Sequence, residues 1–371
     1  MKLYEYQAKE LFRAAGIPVP GGRVVASPDE AAAACTELGP VALKVQVLAG
    51  GRGKAGGILF AGDPAEARAA ARRLLGSTIR EHVVERLLVE EKLSFHAELY
   101  LGVAVDGPRR RPLLLASAMG GVNIEDVPDS HLVKLPLDIR WGLLPYQARY
   151  VATRLGLTGD PWKQAVDVAV RLYRVWRRYD AELVEINPLV IRADGRVTAA
   201  DARMTVDDDA LFRQQDLPRV EEGSPLELRV KALGLSYVEL EGDIAVMANG
   251  AGITMATLDV IERYGGRPAN FMDAGGGASV EPTARAIETL LSTNPAAILI
   301  NIFGGITRCD DVAKAIAQVK GRIGIGVPLV VRLVGTNEAA GVELLRSEGI
   351  EAYRSMDEAA AKVVALAGGG A

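Results

Sequence analysis

The chain contains few cysteines, few histidines and no long apolar run. Its 371 residues include two cysteines, Cys35 and Cys309, which lie in unrelated segments. This usage predicts a reduced, cytoplasmic protein. Uncharged apolar runs such as residues 296–303 are far shorter than the roughly 20 residues that a membrane-spanning helix requires, so no association with a membrane is expected.

An excess of positive charge is also absent. The formal net charge is −4 at pH 7 and no basic stripe occurs, so we expect no binding to nucleic acid or to anionic membranes. Residues 1–10 are charged throughout and are unlike a secretory signal. The histidines show no metal-ligand spacing, and each is expected to be a surface residue or a hydrogen-bonded core residue: His82, His96 and His131.

The length predicts two or three domains, and the pattern of elements changes along the chain. The first half mixes helices and strands, and residues 207–241 are dense in charge, with a linker expected at 221–241. From residue 242 onward strands and helices alternate, which predicts a parallel, doubly wound sheet. The strands are expected at 243–248, 269–273, 296–303, 328–334 and about 351–353, and the helices near 254–264, 281–292, 307–319, 337–347 and 356–367.

The most informative segment is glycine-rich and reads Ala-Gly-Gly-Arg-Gly-Lys-Ala-Gly-Gly at residues 49–57. Glycines let backbone amides approach an anion closely, and Arg52 and Lys54 supply positive charge, a combination that suits a polyphosphate. A Walker A loop would need Ser or Thr after the lysine and a helix beyond it. Here Ala55 follows, and strands are predicted on both sides. The alternatives are a flexible flap over a nucleotide and a mobile hairpin without a ligand.

Residues 185–201 contain a candidate metal site. Glu185 and Asn187 share one face of a predicted strand, and Asp201 lies on the return strand of a hairpin that turns at residues 193–196. Amide and carboxylate oxygens are ligands that Mg²⁺ accepts, with substrate phosphates completing its shell. A two-residue turn would separate Asn187 from Asp201, whereas a three-residue loop with a left-handed glycine brings them opposite each other. We expect the second arrangement; ordinary polar residues at a hairpin end are the alternative.

Three glycine turns lead from predicted strands into helices in the second half, at residues 249–254, 303–308 and 335–337, and a fourth flexible turn lies at 273–277. In a parallel sheet such turns share the carboxyl edge, where ligands bind. Helix N-termini there attract anions, and the helix expected from Thr307 is well placed for this. The turns therefore indicate an anion site, although glycines also occur simply to close such connections.

Seven segments, in order, carry a resemblance to a known family: residues 5–10, 50–57, 98–102, 185–189, 210–214, 249–252 and 301–309. Together they resemble the β subunits of the succinyl-CoA synthetases, the ADP- or GDP-forming succinate–CoA ligases. The resemblance implies an ATP-grasp nucleotide-binding half and a flavodoxin-like CoA-ligase domain. The implied boundaries are 1–220, with a smaller subdomain at about 21–97, a linker at 221–241, and 242–371.

The resemblance also implies a reaction and a partner. Succinyl-CoA, phosphate and a nucleoside diphosphate (ADP or GDP) interconvert with succinate, CoA and the triphosphate (ATP or GTP). The phosphoryl group passes through a histidine of a CoA-binding α subunit. None of this chain's histidines lies in a glycine turn or beside the metal pair, which agrees with a histidine supplied by another chain.

Site residues follow from the resemblance by motif. The implied roles are nucleotide phosphate contacts for Lys44, Gly51, Arg52 and Gly53; the adenine-side hinge for Glu90 and Leu93; ribose binding for Glu98; Mg²⁺ binding for Asn187 and Asp201; support of the visiting phosphohistidine for Glu185; and succinate and phosphate binding for Asn249, Gly305, Ile306 and Thr307. The sequence departs from the family pattern at two places. Many relatives have a polar hinge residue where this chain has Leu93, and relatives often have Gly-Lys where it has Ala202-Arg203.

Other functions are compatible with parts of the sequence. A related acyl-CoA ligase subunit, such as that of malate–CoA ligase, is close, and Gly51 weakly favours succinate because malate relatives tend to have alanine there. A non-catalytic nucleotide-sensing module would explain the glycine flap but not the second set of turns. A structural scaffold would leave the clustered glycines without a role.

Overall fold

The computed structural model describes residues 1–80, 82–220, 223–277 and 279–368. The chain divides into two compact units, Met1–Glu222 and Gly223–Ala371. In the described ranges, none of the helices combines the length and apolar character needed to cross a membrane. Cys35 and Cys309 are both buried as free thiols.

The first unit begins with helix α1 and contains a four-stranded antiparallel sheet in the order β1-β6-β2-β3. Two alanine-rich helices pack on this sheet, and each begins where its sequence predicts: Ser27 caps α2 and Asp63 caps α3, with proline next in both. The elements are α1 Glu5–Ala14, β1 Gly22–Val25, α2 Pro28–Leu38, β2 Val41–Val45, β3 Ile58–Ala61, α3 Pro64–Leu74, a ribbon of β4 Thr78–Ile79 and β5 His82–Val83, and β6 Leu87–Glu91.

A second sheet of the same unit has the order β11-β10-β7-β8-β9, and β12 also pairs with β10. Helix α5 buries an apolar stripe that includes Val168, Leu172 and Val175 against this sheet, because its apolar residues recur every three or four positions. The elements are β7 Phe95–Asp106, β8 Arg111–Ser117, β9 Leu132–Pro136, α4 Pro145–Arg154, α5 Gly159–Arg178, β10 Ala181–Arg192, β11 Val197–Ala199 and β12 Arg203–Val206.

The hairpin after β10 adopts the predicted three-residue loop. Ile191 pairs with Val197, and Gly195 within the loop has a left-handed φ of 83°. The same register pairs Leu189 with Ala199 and Glu185 with Arg203, and its continuation places Asn187 opposite Asp201. The predicted register is therefore confirmed. The return strand on which Asp201 was expected is not continuous, however, because residues 200–202 interrupt it.

The second unit is an α/β domain whose sheet has the order β13-β15-β14-β16-β17-β18. The five strands from β14 onward are parallel, in the 2-1-3-4-5 order of flavodoxin-like folds, and apolar clusters cover both faces. The elements are α6 Pro225–Ala232, β13 Ser236–Glu239, β14 Ile244–Ala248, α7 Ala251–Arg263, β15 Asn270–Asp273, α8 Val280–Ser292, β16 Ala297–Gly304, α9 Cys309–Ile323, β17 Leu329–Gly335, α10 Glu338–Ser347, β18 Ala352–Tyr353 and α11 Met356–Ala367.

Two expectations for this unit need correction. The segment predicted as a linker contains α6 and β13, and β13 pairs antiparallel with β15 at the sheet edge; residues 221 and 222 lie outside the described residues. Ser224 caps α6 together with Glu227, a start signal obscured by the density of charge around it. Helix α9 begins at Cys309 rather than Thr307, so residues 305–307 belong to the turn before it.

Candidate functional site

The first unit contains a cavity of about 360 Å³. Its walls come from the glycine-rich flap, the start of α1, the loop after β8, strand β10 and the hairpin return. The lining residues are Lys2, Leu3, Glu5, 47–54, Ile58, Glu98, 121–125, Glu185, Asn187, Pro188 and 201–204.

Most of the predicted nucleotide and metal residues of this unit meet at this cavity. Those that line it are Gly51, Arg52, Gly53, Glu98, Glu185, Asn187 and Asp201. Arg52 and Asn187 thus share one space although they come from different sheets. Lys44 and Glu90 lie behind the wall in a cluster of ion pairs, and Leu93, between β6 and β7, is outside the lining. The roles of all these residues stay predictions.

Glu98 projects from β7 toward the loop after β8. A side chain on Gly121 would meet both carboxylate oxygens of Glu98 at 3.0 Å, and Gly121 has a left-handed φ of 74°. The loop therefore needs glycine there to approach Glu98 and close this side of the cavity.

Behind the flap lies a buried cluster of charges centred on Glu5. The Glu5 carboxylate is 2.8 Å from Lys9 Nζ, 2.9 Å from Lys44 Nζ and 2.8 Å from Arg52 Nη1. Lys9 and Lys44 both also reach Glu90, at 2.7 and 3.0 Å. One carboxylate of α1 therefore contacts two cations predicted to bind phosphate.

The charges of this cluster support one another. Burial alone would raise the pKa of Glu5, but Lys44, Lys9 and Arg52 together hold that pKa well below its usual value. Burial likewise opposes the charge of Lys44, and the facing carboxylates, first Glu5 and then Glu90, raise the Lys44 pKa above its ordinary range. Both groups are therefore ionised at neutral pH.

Sequence reasoning did not single out Glu5 or Lys9 as site residues. They belong to the opening segment that contributed to the family resemblance, and they stand four positions apart on α1, where side chains share a face. Both are almost fully buried, at 3% and 2% exposure. The sequence did hold one signal of their burial. Glu5 and Lys9 lie on the same face of α1 as Ala8 and Phe12, which are apolar and buried.

The predicted metal ligands have suitable chemistry and are held in place. Asn187 Oδ1 accepts a hydrogen bond of 2.8 Å from the Gly121 amide, and its Nδ2 donates to the Val122 carbonyl at 2.8 Å. Asp201 Oδ1 accepts from Arg52 Nη2 at 2.9 Å. Two oxygen donors facing one polar cavity fit Mg²⁺, which takes few protein ligands. Among the described residues no group of three or more His, Cys, Asp or Glu side chains could hold a metal ion.

Glu185 lies on the same wall, two residues before Asn187. Tyr100 Oη donates to Glu185 Oε2 at 3.0 Å, and Arg203 Nη1 is 3.5 Å from Oε1. Burial raises the pKa of Glu185, while Arg203 and Tyr100 oppose that rise.

In the second unit the predicted substrate residues lie at the carboxyl edge of the sheet. The Asn249 amide, directly after β14, accepts from the Phe303 N–H at 2.8 Å and donates to the Phe303 carbonyl at 2.9 Å. Because β15 and β16 flank β14 on opposite sides, this is the topological switch point, where ligands of such sheets bind.

Neighbouring residues of the turn between β16 and α9 differ strongly in solvent exposure. Thr307 is buried and its hydroxyl accepts from the Gly277 amide at 3.0 Å, whereas Ile306 is 83% exposed. A side chain added at Gly305 would have no atom of the described residues within 4 Å. Asn249 Nδ2 lies 3.5 Å from Thr307 Oγ1. These two side chains therefore lie in turns of the same sheet edge as Gly305, whose backbone no described side chain covers.

Comparison with known proteins identifies the family. A family model described as "ATP-grasp domain" matches residues 2–191, and one described as "CoA-ligase" matches residues 247–366. Proteins named succinate–CoA ligase [ADP-forming] subunit beta are 46% identical in Chloroflexus aurantiacus, over 100% of both chains, and 47% identical in Rubrobacter xylanophilus, over 99% of both. The chain belongs to the succinate–CoA ligase β-subunit family. The recognition and the fold predicted from sequence are thereby confirmed.

A solved structure supports the fold alone. The ATP citrate lyase of Methanothrix soehngenii, determined with citrate and coenzyme A, superposes with a TM-score of 0.76 at 21% identity, covering 99% of this chain and 98% of that one. The two proteins thus share a fold along nearly the whole of both chains.

Proposed function

We propose that this chain is the nucleotide-binding subunit of an ADP-forming succinate–CoA ligase. It would interconvert succinyl-CoA, phosphate and ADP with succinate, CoA and ATP. The proposal is supported by the relatives that bear this name and by one observation above all: Arg52, Asn187 and Asp201 line the same cavity beneath a glycine-rich flap.

The first cavity would hold the nucleotide. Amides of Gly51 and Gly53 and the guanidinium of Arg52 would bind phosphate oxygens, and Glu98 would bind the ribose. Asn187 and Asp201 would hold Mg²⁺, which supplies charge neutralisation when bound. Phosphoryl transfer depends on positioning and electrostatic stabilisation, and these residues offer both without a covalent nucleophile from this chain.

Residues behind and beside the cavity would complete the nucleotide site. Lys44 would contribute phosphate contacts, and Glu90 and Leu93 would form the adenine-side hinge. The Lys44 ammonium and the Glu90 carboxylate form an ion pair of 3.0 Å, which would hold the proposed hinge strand beside the proposed phosphate-binding cation.

The second unit would bind succinate and phosphate through Asn249 and residues 305–307. Gly305 leaves its backbone open, and α9 begins two residues beyond Thr307, so the positive end of its dipole would favour an anion there.

A partner α subunit would bind CoA and carry the histidine that is phosphorylated during turnover, with Glu185 steadying that histidine. This is supported by the positions of His82, His96 and His131, which are outside the cavity lining in the described residues. A cytoplasmic location is proposed as well, in keeping with two buried free thiols.

The test is co-purification followed by assay. The chain is expressed with its native partner, and CoA-thioester formation is measured with succinate and with malate, each with ATP and with GTP. We expect succinate and ATP to be preferred and the partner to become ³²P-labelled on histidine. A preference for malate would assign the related ligase, and nucleotide binding without a labelled partner would assign a sensing module.

A further inference from the structure

Tyr100 stands behind Glu185 and is the direct neighbour of its carboxylate. It belongs to β7, is 1% exposed, and donates its hydroxyl to Glu185 Oε2 at 3.0 Å. Buried tyrosine hydroxyls usually form a hydrogen bond, and Glu185 accepts that of Tyr100 at the edge of the cavity.

The contact depends on a glycine in the same strand. In the antiparallel pair of β7 and β10, Gly102 is the residue opposite Glu185, and Tyr100 lies two positions away on the same face. A side chain at Gly102 would start 2.7 Å from Tyr100 Oη and 3.1 Å from Cζ. The Tyr100 ring therefore occupies the space that a side chain at Gly102 would fill. In that position its hydroxyl reaches the carboxylate of Glu185, which lies diagonally opposite on the neighbouring strand.

The other contact of Glu185 is looser. Arg203 Nη1 is 3.5 Å from Oε1, and the Arg203 side chain is 54% exposed while that of Glu185 is 14% exposed. A long, solvated side chain restrains its partner weakly, whereas a buried hydroxyl with a charged acceptor forms a strong hydrogen bond. The orientation of the carboxylate is thus set mainly by Tyr100.

We propose that Tyr100 is a positioning residue that fixes the orientation of the Glu185 carboxylate at the cavity wall, and that Gly102 is required for it to do so. The inference rests on the proposed function, in which Glu185 contacts the phosphorylated histidine of the partner. Tyr100 itself touches no substrate and acts through Glu185.

The test uses the complete complex with its α subunit and measures single-turnover phosphoryl transfer from nucleotide to the partner's histidine. Tyr100→Phe removes the hydroxyl alone, and we expect transfer to slow by about ten-fold with nucleotide KM unchanged. In the Glu185→Gln background the same change is expected to have no further effect, because the residue through which Tyr100 acts is already altered.

Tyr173→Phe is the matched control. Tyr173 is also buried in this unit, and its hydroxyl has no hydrogen-bond partner in the part of the chain that the structure describes, so its removal is expected to leave transfer unchanged. Gly102→Ala is the second variant: it keeps the phenol but displaces the hydroxyl, and it is expected to reproduce the loss seen with Tyr100→Phe. Thermal unfolding confirms that each variant is folded.

The outcomes separate the two proposals. If Glu185→Gln slows transfer but Tyr100→Phe and Gly102→Ala do not, the role of Tyr100 is refuted and the proposed function stands. If Glu185→Gln leaves transfer unchanged, the role of Glu185 fails and that of Tyr100 fails with it. Equal losses from Tyr100→Phe in the native and Glu185→Gln backgrounds would also overturn the inference.

Discussion

The guanidinium of Arg52 lies 2.9 Å from the carboxylate of Asp201, although 149 positions separate the two residues. The flap cation therefore contacts the oxygen that is proposed to bind Mg²⁺, while its other terminal nitrogen is held by Glu5. A metal ion bound at Asp201 has to share or displace this contact. Arg52 thus acts as an internal counter-ion for the site.

Arg52→Gln is expected to tighten metal binding in the absence of nucleotide. Removing the competing cation frees the Asp201 carboxylate, and Mn²⁺ affinity, measured by electron paramagnetic resonance, should rise by about ten-fold, the equivalent of one charge-assisted hydrogen bond. Nucleotide affinity should fall in the same variant, because the proposed phosphate contact of Arg52 is lost. Arg72→Gln, an exposed arginine of α3 outside the cavity lining, is the charge-matched control and should change neither affinity. Weaker Mn²⁺ binding by Arg52→Gln would contradict the competition.

Asp201→Ala is expected to abolish Mg²⁺-dependent nucleotide binding, because it removes the only charged member of the proposed ligand pair. Isothermal titration with ADP, with and without Mg²⁺, measures this directly. The variant should bind ADP equally weakly in both conditions. Asp216→Ala, an exposed carboxylate outside the cavity lining, is the control and should retain the Mg²⁺ dependence. Retention of that dependence in Asp201→Ala would refute the metal assignment.

The hairpin shows what the sequence could settle and what it could not. The strands around residues 185 and 203 follow from apolar spacing, which is local. Their register depended on whether the turn at Gly195 holds two or three residues, and both were compatible with the sequence. The pairing of Ile191 with Val197 shows that the longer loop forms, with a left-handed Gly195 inside it, and this register brings Asn187 opposite Asp201.

The ion cluster could not be derived from local pattern. Glu5 meets Lys44 and Arg52 through the tertiary packing of α1, and no periodicity encodes contacts between residues 39 positions or more apart. The five parallel strands of the second unit were recoverable for the opposite reason. Runs such as Ile244–Ala248 and Ala297–Gly304 are short and mostly apolar, and a helix stands between each strand and the next.

Glu5→Gln is expected to lower the free energy of unfolding by about 3 kcal/mol, because it leaves Lys9, Lys44 and Arg52 with one fewer buried counter-charge. Chemical denaturation measures the change. Glu37→Gln is the control, since Glu37 forms an exposed ion pair with Arg23 at 3.2 Å and its loss should have little effect. Equal stability of Glu5→Gln and the native chain would show that the cluster contributes nothing.

The pH dependence of stability should also identify Glu5. Its folded-state pKa is held well below the ordinary value of 4.5, so the unfolded chain binds a proton at this residue before the folded chain does. The stabilisation is complete above about pH 4.5 and is lost as the pH falls through the folded pKa. The native chain should therefore lose more stability than Glu5→Gln between pH 5 and pH 3, roughly the window of that linkage. Parallel curves would contradict this.

Gly305→Ala separates ligand binding from folding in the second unit. No described atom lies within 4 Å of a side chain at this position, whereas one at Gly304 would meet the Thr307 carbonyl oxygen at 2.7 Å. We expect Gly305→Ala to retain native stability but to raise KM for succinate and phosphate, because the added methyl blocks approach to the backbone. Gly304→Ala should instead lower the melting temperature. Gly326→Ala, at another open position away from the proposed site, should change neither property. An unchanged KM in a folded Gly305→Ala variant would place the anion elsewhere on the sheet edge.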